Sequence, residues 1–216
     1  SGNIYVAGGE TASGVTKGFY VMHMDAATKG WQQLPDLPAA TSHTLLLAPV
    51  ENKKVQLFLV GGRRKASTGV SELYREVYAF DQDKNQWHQK RSLPYPISAG
   101  TGVAVGNDEL FLFGGDKGET FHQVELLLSE ITHEQDPRKK QELTDRKNNL
   151  QVHHPGFSHE LLVYRIHSDK WKRAGMLDFT IPVTTTACIR DHKIFIPGGE
   201  IRAGIRTAQV IAGNLY

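Results

Sequence analysis

An apolar run closed by a glycine pair recurs four times, and a chain with such a period stacks small like units rather than building one large core. The runs are Ile4–Ala7 before Gly8-Gly9, Leu57–Val60 before Gly61-Gly62, Leu110–Phe113 before Gly114-Gly115, and Ile194–Pro197 before Gly198-Gly199. The first three pairs are evenly spaced, and the fourth is delayed by an extra segment. Further landmarks follow the pairs in a fixed order. A tyrosine comes first (Tyr20, Tyr78, Tyr164), then a tryptophan (Trp31, Trp87, Trp171), then a step at Leu37-Pro38, Leu93-Pro94 or Met176-Leu177. Another apolar run precedes the next pair, at Thr44–Ala48, Gly102–Val105 and Thr186–Ile189.

This order predicts a four-stranded antiparallel unit, with strands a to d running outward. The glycine pair ends strand b where a bulky side chain would clash. Strands c and d carry the tyrosine and tryptophan, which fill the space between units and keep a polar handle. The expected fold class is all-β, a β-propeller with blades of this kind. A β-sandwich has similar short strands, but it would not repeat the landmarks in one order. The chain opens on a strand b and closes on a strand c, giving fourteen expected blade strands. A six-bladed ring needs more, so the expectation is an incomplete propeller closed by further polypeptide.

The delayed fourth pair marks an insertion over residues 116–159. Val124, Leu127, Leu128 and Ile131 fall on one helical face. Asp136-Pro137 is a helix start, with proline at the first helical position, and Arg138–Leu150 follows as a polar helix. The expectation is two short helices between strands b and c. They would serve either as surface decoration or as a lid.

Composition narrows the function classes. Twenty-five basic residues against 23 acidic leave a net charge of +2, which gives no reason to expect a nucleic-acid partner. No apolar run is long enough to span a membrane as a helix. The lone Cys188 excludes an internal disulfide and any cysteine-based zinc site, and its apolar surroundings predict a buried side chain. His153, His154 and His159, with His122 and His133 nearby, show no standard ligand spacing, so no metal is expected and they are assigned to solvated loops. The glycine-rich run Gly100–Gly106 lies on a predicted strand without the helix and lysine of a phosphate loop.

In a propeller the b–c and d–a loops emerge on one face. The residues after the glycine pairs, Glu10, Arg63, Asp116 and Glu200, are therefore expected around one mouth. Such a mixture of charges suits a small polar ligand, although solvated loops are charged too. In the last loop Glu200 precedes Arg202, Gly204 and Arg206. The residues alone fit either a structural Glu200–Arg206 ion pair or a general base beside a carboxylate clamp.

The Gly-Gly, Tyr and Trp landmarks resemble the kelch repeat over nearly the whole chain outside the insertion. The loop Gly199-Glu200…Gly204…Arg206-Thr207 resembles that of the bacterial N-acetylneuraminate epimerases, the sialic acid mutarotases. The insertion one repeat upstream is also similar to theirs. Gly8-Gly9-Glu10-Thr11…Gly14 looks like that family's terminal-blade loop, which implies a cyclically permuted blade order. One departure is the stretch Pro38–His43, which lacks the arginine the family tends to carry there; Arg63 or Arg64 are the candidates to replace it.

The resemblance implies an isomerase that interconverts the anomers of N-acetylneuraminic acid through the open-chain form. Glu200 and Arg206 would be catalytic, and Arg63, Glu10, Asp116 and Arg202 substrate-binding. The sugar acid is the expected partner, no cofactor is expected, and the implied location is periplasmic or secreted and bacterial. The alternative is a non-catalytic kelch module that binds a protein or glycan with the same face.

Overall fold

The four glycine pairs share one backbone conformation that only glycine adopts readily. In the computed structural model, which describes residues 2–51 and 54–215, the first glycine of each pair has φ of 65°, 59°, 60° and 55°, and the second 111°, 107°, 110° and 123°. Both values lie in the left-handed half of backbone space, where a Cβ is costly. This turn ends the apolar strand at the first three pairs, and at the fourth it lies inside the strand Lys193–Arg202, where the pairing shifts register.

Four antiparallel sheets follow one another along the chain, and they are the blades of a β-propeller. The first holds Asn3–Ala7, Phe19–His23 and Gln32–Gln33. The second holds Leu45–Leu47, Leu57–Val60, Val77–Asp81 and Gln86–Lys90. The third holds Thr101–Val105, Glu109–Phe113, Glu160–Arg165 and Lys170–Met176, and the fourth Cys188–Arg190, Lys193–Arg202 and Ile205–Asn214. Short ribbons decorate the loops, among them Arg63–Lys65 paired with Ser71–Leu73. Two helices, α1 (Glu119–His133) and α2 (Pro137–Val152), lie between the second and third strands of the third blade. Asp136 caps α2 by accepting from the Arg138 N–H, with Pro137 in the first turn.

The core is divided among the blade junctions. Phe19 and Leu37 meet Leu57, Leu59 and Phe80 between the first and second blades. Phe58 and Val77 meet Leu110, Leu112 and Tyr164 between the second and third. Val103 and Phe113 meet Ile194 and Ile196 between the third and fourth. The second and third sheets bury apolar residues on both faces because each face meets a neighbour. The aromatic landmarks follow this logic where a neighbour is present. Tyr164 is fully buried and donates to Asp169 Oδ1 at 2.6 Å, and burial raises its pKa far above the ordinary tyrosine value, with the Asp169 contact adding to the shift. The Trp171 Nε1–H donates to the Arg91 carbonyl of the second blade at 2.9 Å.

Two expectations fail for one physical reason. Cys188, expected to be buried, is exposed, as is the whole of its strand. Trp31, expected between blades, is 49 % exposed. Both sit in the outermost sheets, where no described residue covers them on one side.

The d–a loops join the blades to each other. The Gly9 N–H donates to Thr41 O at 2.8 Å, while the next residue, Ser42, exchanges two 2.8 Å hydrogen bonds with Arg63 of the following blade. The pattern repeats one blade on. The Gly62 N–H donates to Ile97 O at 2.8 Å, and Ser98 pairs with Asp116 at 2.8 and 2.9 Å. Val183 pairs with Glu200 in the same way.

A Cβ at Gly61 would lie 2.4 Å from the Ile97 carbonyl, whereas one at Gly106, also at φ of 60°, would meet nothing within 4 Å. Gly61→Ala should therefore cost well over ~2 kcal/mol in urea denaturation, and Gly106→Ala only about 1 kcal/mol. Equal costs would remove the blade-joining role of this turn.

Candidate active site at the propeller mouth

Each residue after a glycine pair is held by backbone pairing to a d–a loop, so its side chain leaves the blade at a repeated place. Glu10, Arg63, Asp116 and Glu200 accordingly border one cavity of about 500 Å³. The three loop residues that follow the paired positions border it too: His43, Ala99 and Thr184, with φ of 52°, 54° and 51°. A left-handed conformation at three non-glycine residues is unusual. Here it turns each of these side chains toward the same space.

Charges of both signs meet in the cavity. Glu10 Oε1 accepts from the Ser42 hydroxyl at 2.9 Å and lies 3.6 Å from His43 Nδ1. On the other side of the ring, Arg63 Nη2 lies 3.4 Å from His43 Nε2. The Arg63 guanidinium rests 4.3 Å from the centroid of the Phe121 ring, which fixes it by a cation–π contact. Burial lowers the His43 pKa below the ordinary histidine value, and Arg63 lowers it further, while Glu10 and Glu200 oppose the shift. Asp116 Oδ1 accepts from the Gly118 N–H at 2.8 Å and so shapes the start of α1.

Glu200 and Arg206 face each other directly across the last hairpin, which turns at Gly204 with φ of 73°. Directly opposed residues in an antiparallel pair project to the same side. Yet among the described residues no ion pair joins them. Glu200 Oε1 accepts instead from the Gly204 N–H at 2.8 Å, and Arg206 Nη2 reaches the Thr184 carbonyl at 3.4 Å. The hairpin thus presents a half-buried carboxylate and an exposed guanidinium side by side without mutual neutralisation. Arg206 stands next to the cavity through Thr184, whereas Arg202 is exposed and does not border it.

The insertion walls the cavity. Thr120, Phe121, Val124, Glu125 and Leu128 of α1 line one side. Helix α1 is fixed to the second blade through Ser71. The Ser71 N–H and hydroxyl donate to the two oxygens of Glu125 at 2.7 and 2.8 Å, and His122 Nε2–H donates to the Ser71 carbonyl at 2.8 Å. Both polar backbone groups and the hydroxyl of Ser71 are thereby satisfied by one helix.

Sequence reasoning missed His43, Glu125 and His154. His43 was legible by registration, since it occupies in Thr41-Ser42-His43 the place of Ala99 in Ile97-Ser98-Ala99. His154, assigned above to a solvated loop, is in fact buried, because the chain returning from α2 packs it against Phe157. Glu125 carried no signal, because its partner lies in another blade. Among the described residues no group of three or more His, Cys, Asp or Glu side chains is arranged to hold a metal ion.

Fold and site together define a β-propeller with an acid–base and guanidinium cluster at its mouth. The N-acetylneuraminate epimerase family profile matches residues 2–216, and the chain belongs to that family. It is 24% identical over 195 residues to the N-acetylneuraminate epimerase of Vibrio cholerae, covering 90% of this chain and 50% of that protein. It is 24% identical over 213 residues to the enzyme of the same name from Pasteurella multocida, covering 98% of this chain and 54% of the relative. The chain thus spans about half the length of the curated relatives it matches. The solved structure of YjhT superposes on 98% of the chain with a TM-score of 0.77 at 18% identity, and covers 59% of its own length.

Three variants test the site. Glu125→Ala leaves the Ser71 donors unpaired and should cost about 1–3 kcal/mol, with faster amide exchange in α1. Arg63→Gln removes a charge that lowers the His43 pKa, so the His43 midpoint should rise in an NMR titration. Glu200→Gln removes a charge that raises it, so the midpoint should fall.

Proposed function

We propose that this chain is part of an isomerase that interconverts the anomers of N-acetylneuraminic acid through its open-chain form. The observation that carries the reading is the unpaired juxtaposition of Glu200 and Arg206 beside a cavity that also holds His43, Arg63 and Glu10. Family membership supports the reaction.

The reaction needs a base at the anomeric hydroxyl and an acid at the ring oxygen. Glu200 takes the hydroxyl proton; the O–H electron pair becomes the keto double bond, and the ring C–O bond breaks. The ring oxygen takes a proton from the protonated form of His43, beside the Arg63 guanidinium. Rotation of the keto group and the reverse steps close the ring on its other face, and both protons return. Arg206 holds the substrate carboxylate, a geometry that suits a planar guanidinium. Glu10 and Asp116 accept from substrate hydroxyls. Proton transfer and positioning carry this scheme, so it calls for no cofactor.

Further propeller polypeptide closing the ring belongs to the same proposal, supported by the half-length match to the relatives. So does a periplasmic or secreted bacterial location, which rests on the kelch-type epimerase resemblance alone.

The test is anomer exchange of the sugar acid by one-dimensional NMR, with the chain in the assembly it forms in solution. Glu200→Gln should abolish the acceleration with the fold intact. His43→Gln should slow exchange roughly 100-fold and remove its rise as pH falls toward the lowered His43 pKa. Binding without accelerated exchange by the unaltered protein would favour a non-catalytic module, and unchanged exchange in Glu200→Gln would sink the assignment.

A further inference from the structure

Helix α1 meets the ribbon that carries Arg63 at two points. Glu125 grips Ser71, and Ser71 stands opposite Lys65 in the ribbon that pairs Arg63 with Leu73. One turn earlier, on the same face of the helix, Phe121 lies against the Arg63 guanidinium. One helix therefore holds both the backbone of the ribbon and the end of its arginine. Arg63 makes no ion pair among the described residues, although Glu10, Asp116 and Glu200 border the same cavity. Its neighbour Arg64 does pair, with Glu72 at 2.9 Å. For Arg63 the aromatic face takes the place of a carboxylate, and it attracts the cation without cancelling its charge.

The consequence for His43 follows from donors and acceptors. A guanidinium only donates, so the 3.4 Å approach of Arg63 Nη2 to His43 Nε2 requires that Nε2 carry no proton. The ring proton then sits on Nδ1, 3.1 Å from the Ser42 hydroxyl oxygen, and that hydroxyl donates onward to Glu10 at 2.9 Å. A second proton, on Nε2, would set N–H against N–H and bring two positive charges together. His43 thus becomes an acid only as Arg63 yields, and the ring of Phe121 restrains Arg63. The charged groups that act on His43 are Arg63 from the second-blade ribbon, Glu10 from the first loop and Glu200 from the last hairpin. Burial and Arg63 disfavour the charged imidazole, and the two carboxylates favour it.

We infer that Phe121 is a positioning residue that holds Arg63 against His43, so that the helical insertion governs the proton donor of the mouth. This rests on the reading of His43 as the acid in anomer exchange. It gives α1 a role in the chemistry without a group that transfers a proton.

The test is an NMR titration of His43 in the intact chain, its signal assigned by its loss in His43→Gln. Phe121→Leu keeps apolar bulk but removes the aromatic face. The His43 midpoint should rise by about half a pH unit, because a loosened cation opposes protonation less. Trifluorophenylalanine at position 121 keeps the shape but draws charge off the ring face, and it should raise the midpoint too. Phe121→Tyr keeps the face and should leave the midpoint in place. In an Arg63→Gln background Phe121→Leu should add nothing, since both act through one contact. The rise of anomer exchange at low pH should move upward with the midpoint in Phe121→Leu. A midpoint that stays or falls in Phe121→Leu and in the fluorinated variant would overturn the role of Phe121. An equal rise in the Arg63→Gln background would overturn its route through Arg63. Either result leaves the isomerase reading standing. Failure of the unaltered protein to accelerate exchange would overturn that reading, while the titration still decides the role of Phe121.

Discussion

Backbone hydrogen bonds between each d–a loop and the two blades it joins hold the rest of the structure in place. Thr41 and Ile97 accept from the glycine pair of one blade, while Ser42 and Ser98 pair with the first residue after the glycine pair of the next. The bonds require the peptide planes to come close, and a side chain on Gly61 would meet the accepting carbonyl at 2.4 Å. The glycine pair thus acts by having no side chain. Its consequence is geometric: once the peptide pairing is fixed, the side chain after each pair and the side chain after each loop serine or valine are delivered to one mouth.

What the mouth can do depends on which charges neutralise each other. Arg64 pairs with Glu72 away from the cavity, whereas Arg63 is turned onto Phe121 and faces His43. Glu200 and Arg206 share a hairpin but spend their contacts on backbone groups. A Glu–Arg ion pair, which the residues alone allowed, would have closed the site to a carboxylate ligand. The hairpin avoids it because Gly204 bends the turn so that its own N–H occupies one Glu200 oxygen.

The insertion shows how distant parts of the sequence complete a site begun by the repeat. Asp116 ends the glycine turn and shapes the start of α1, and α1 then leans across to the neighbouring blade through Glu125 and Ser71. The same crossing sets Phe121 under Arg63. Residues of the third blade therefore decide the environment of residues in the second. This coupling is why the cavity has a wall on the side where the loops alone would leave it open.

The repeated glycine pairs, tyrosines and tryptophans were enough to establish blades, their strand order and the helical insertion, because these depend on local backbone freedom and on a period. The same registration put Glu10, Arg63, Asp116 and Glu200 at one mouth, and it would have added His43 had the d–a loops been compared as closely as the glycine turns. Tertiary structure alone decided the burial of Glu125 and His154, the exposure of Cys188 and Trp31, and the unpaired state of Glu200 and Arg206. Burial and pairing are properties of what packs against a residue: Glu125 meets Ser71 of another blade, whereas the Glu200 carboxylate is taken by an N–H four residues away, and neither outcome is recorded in the repeat.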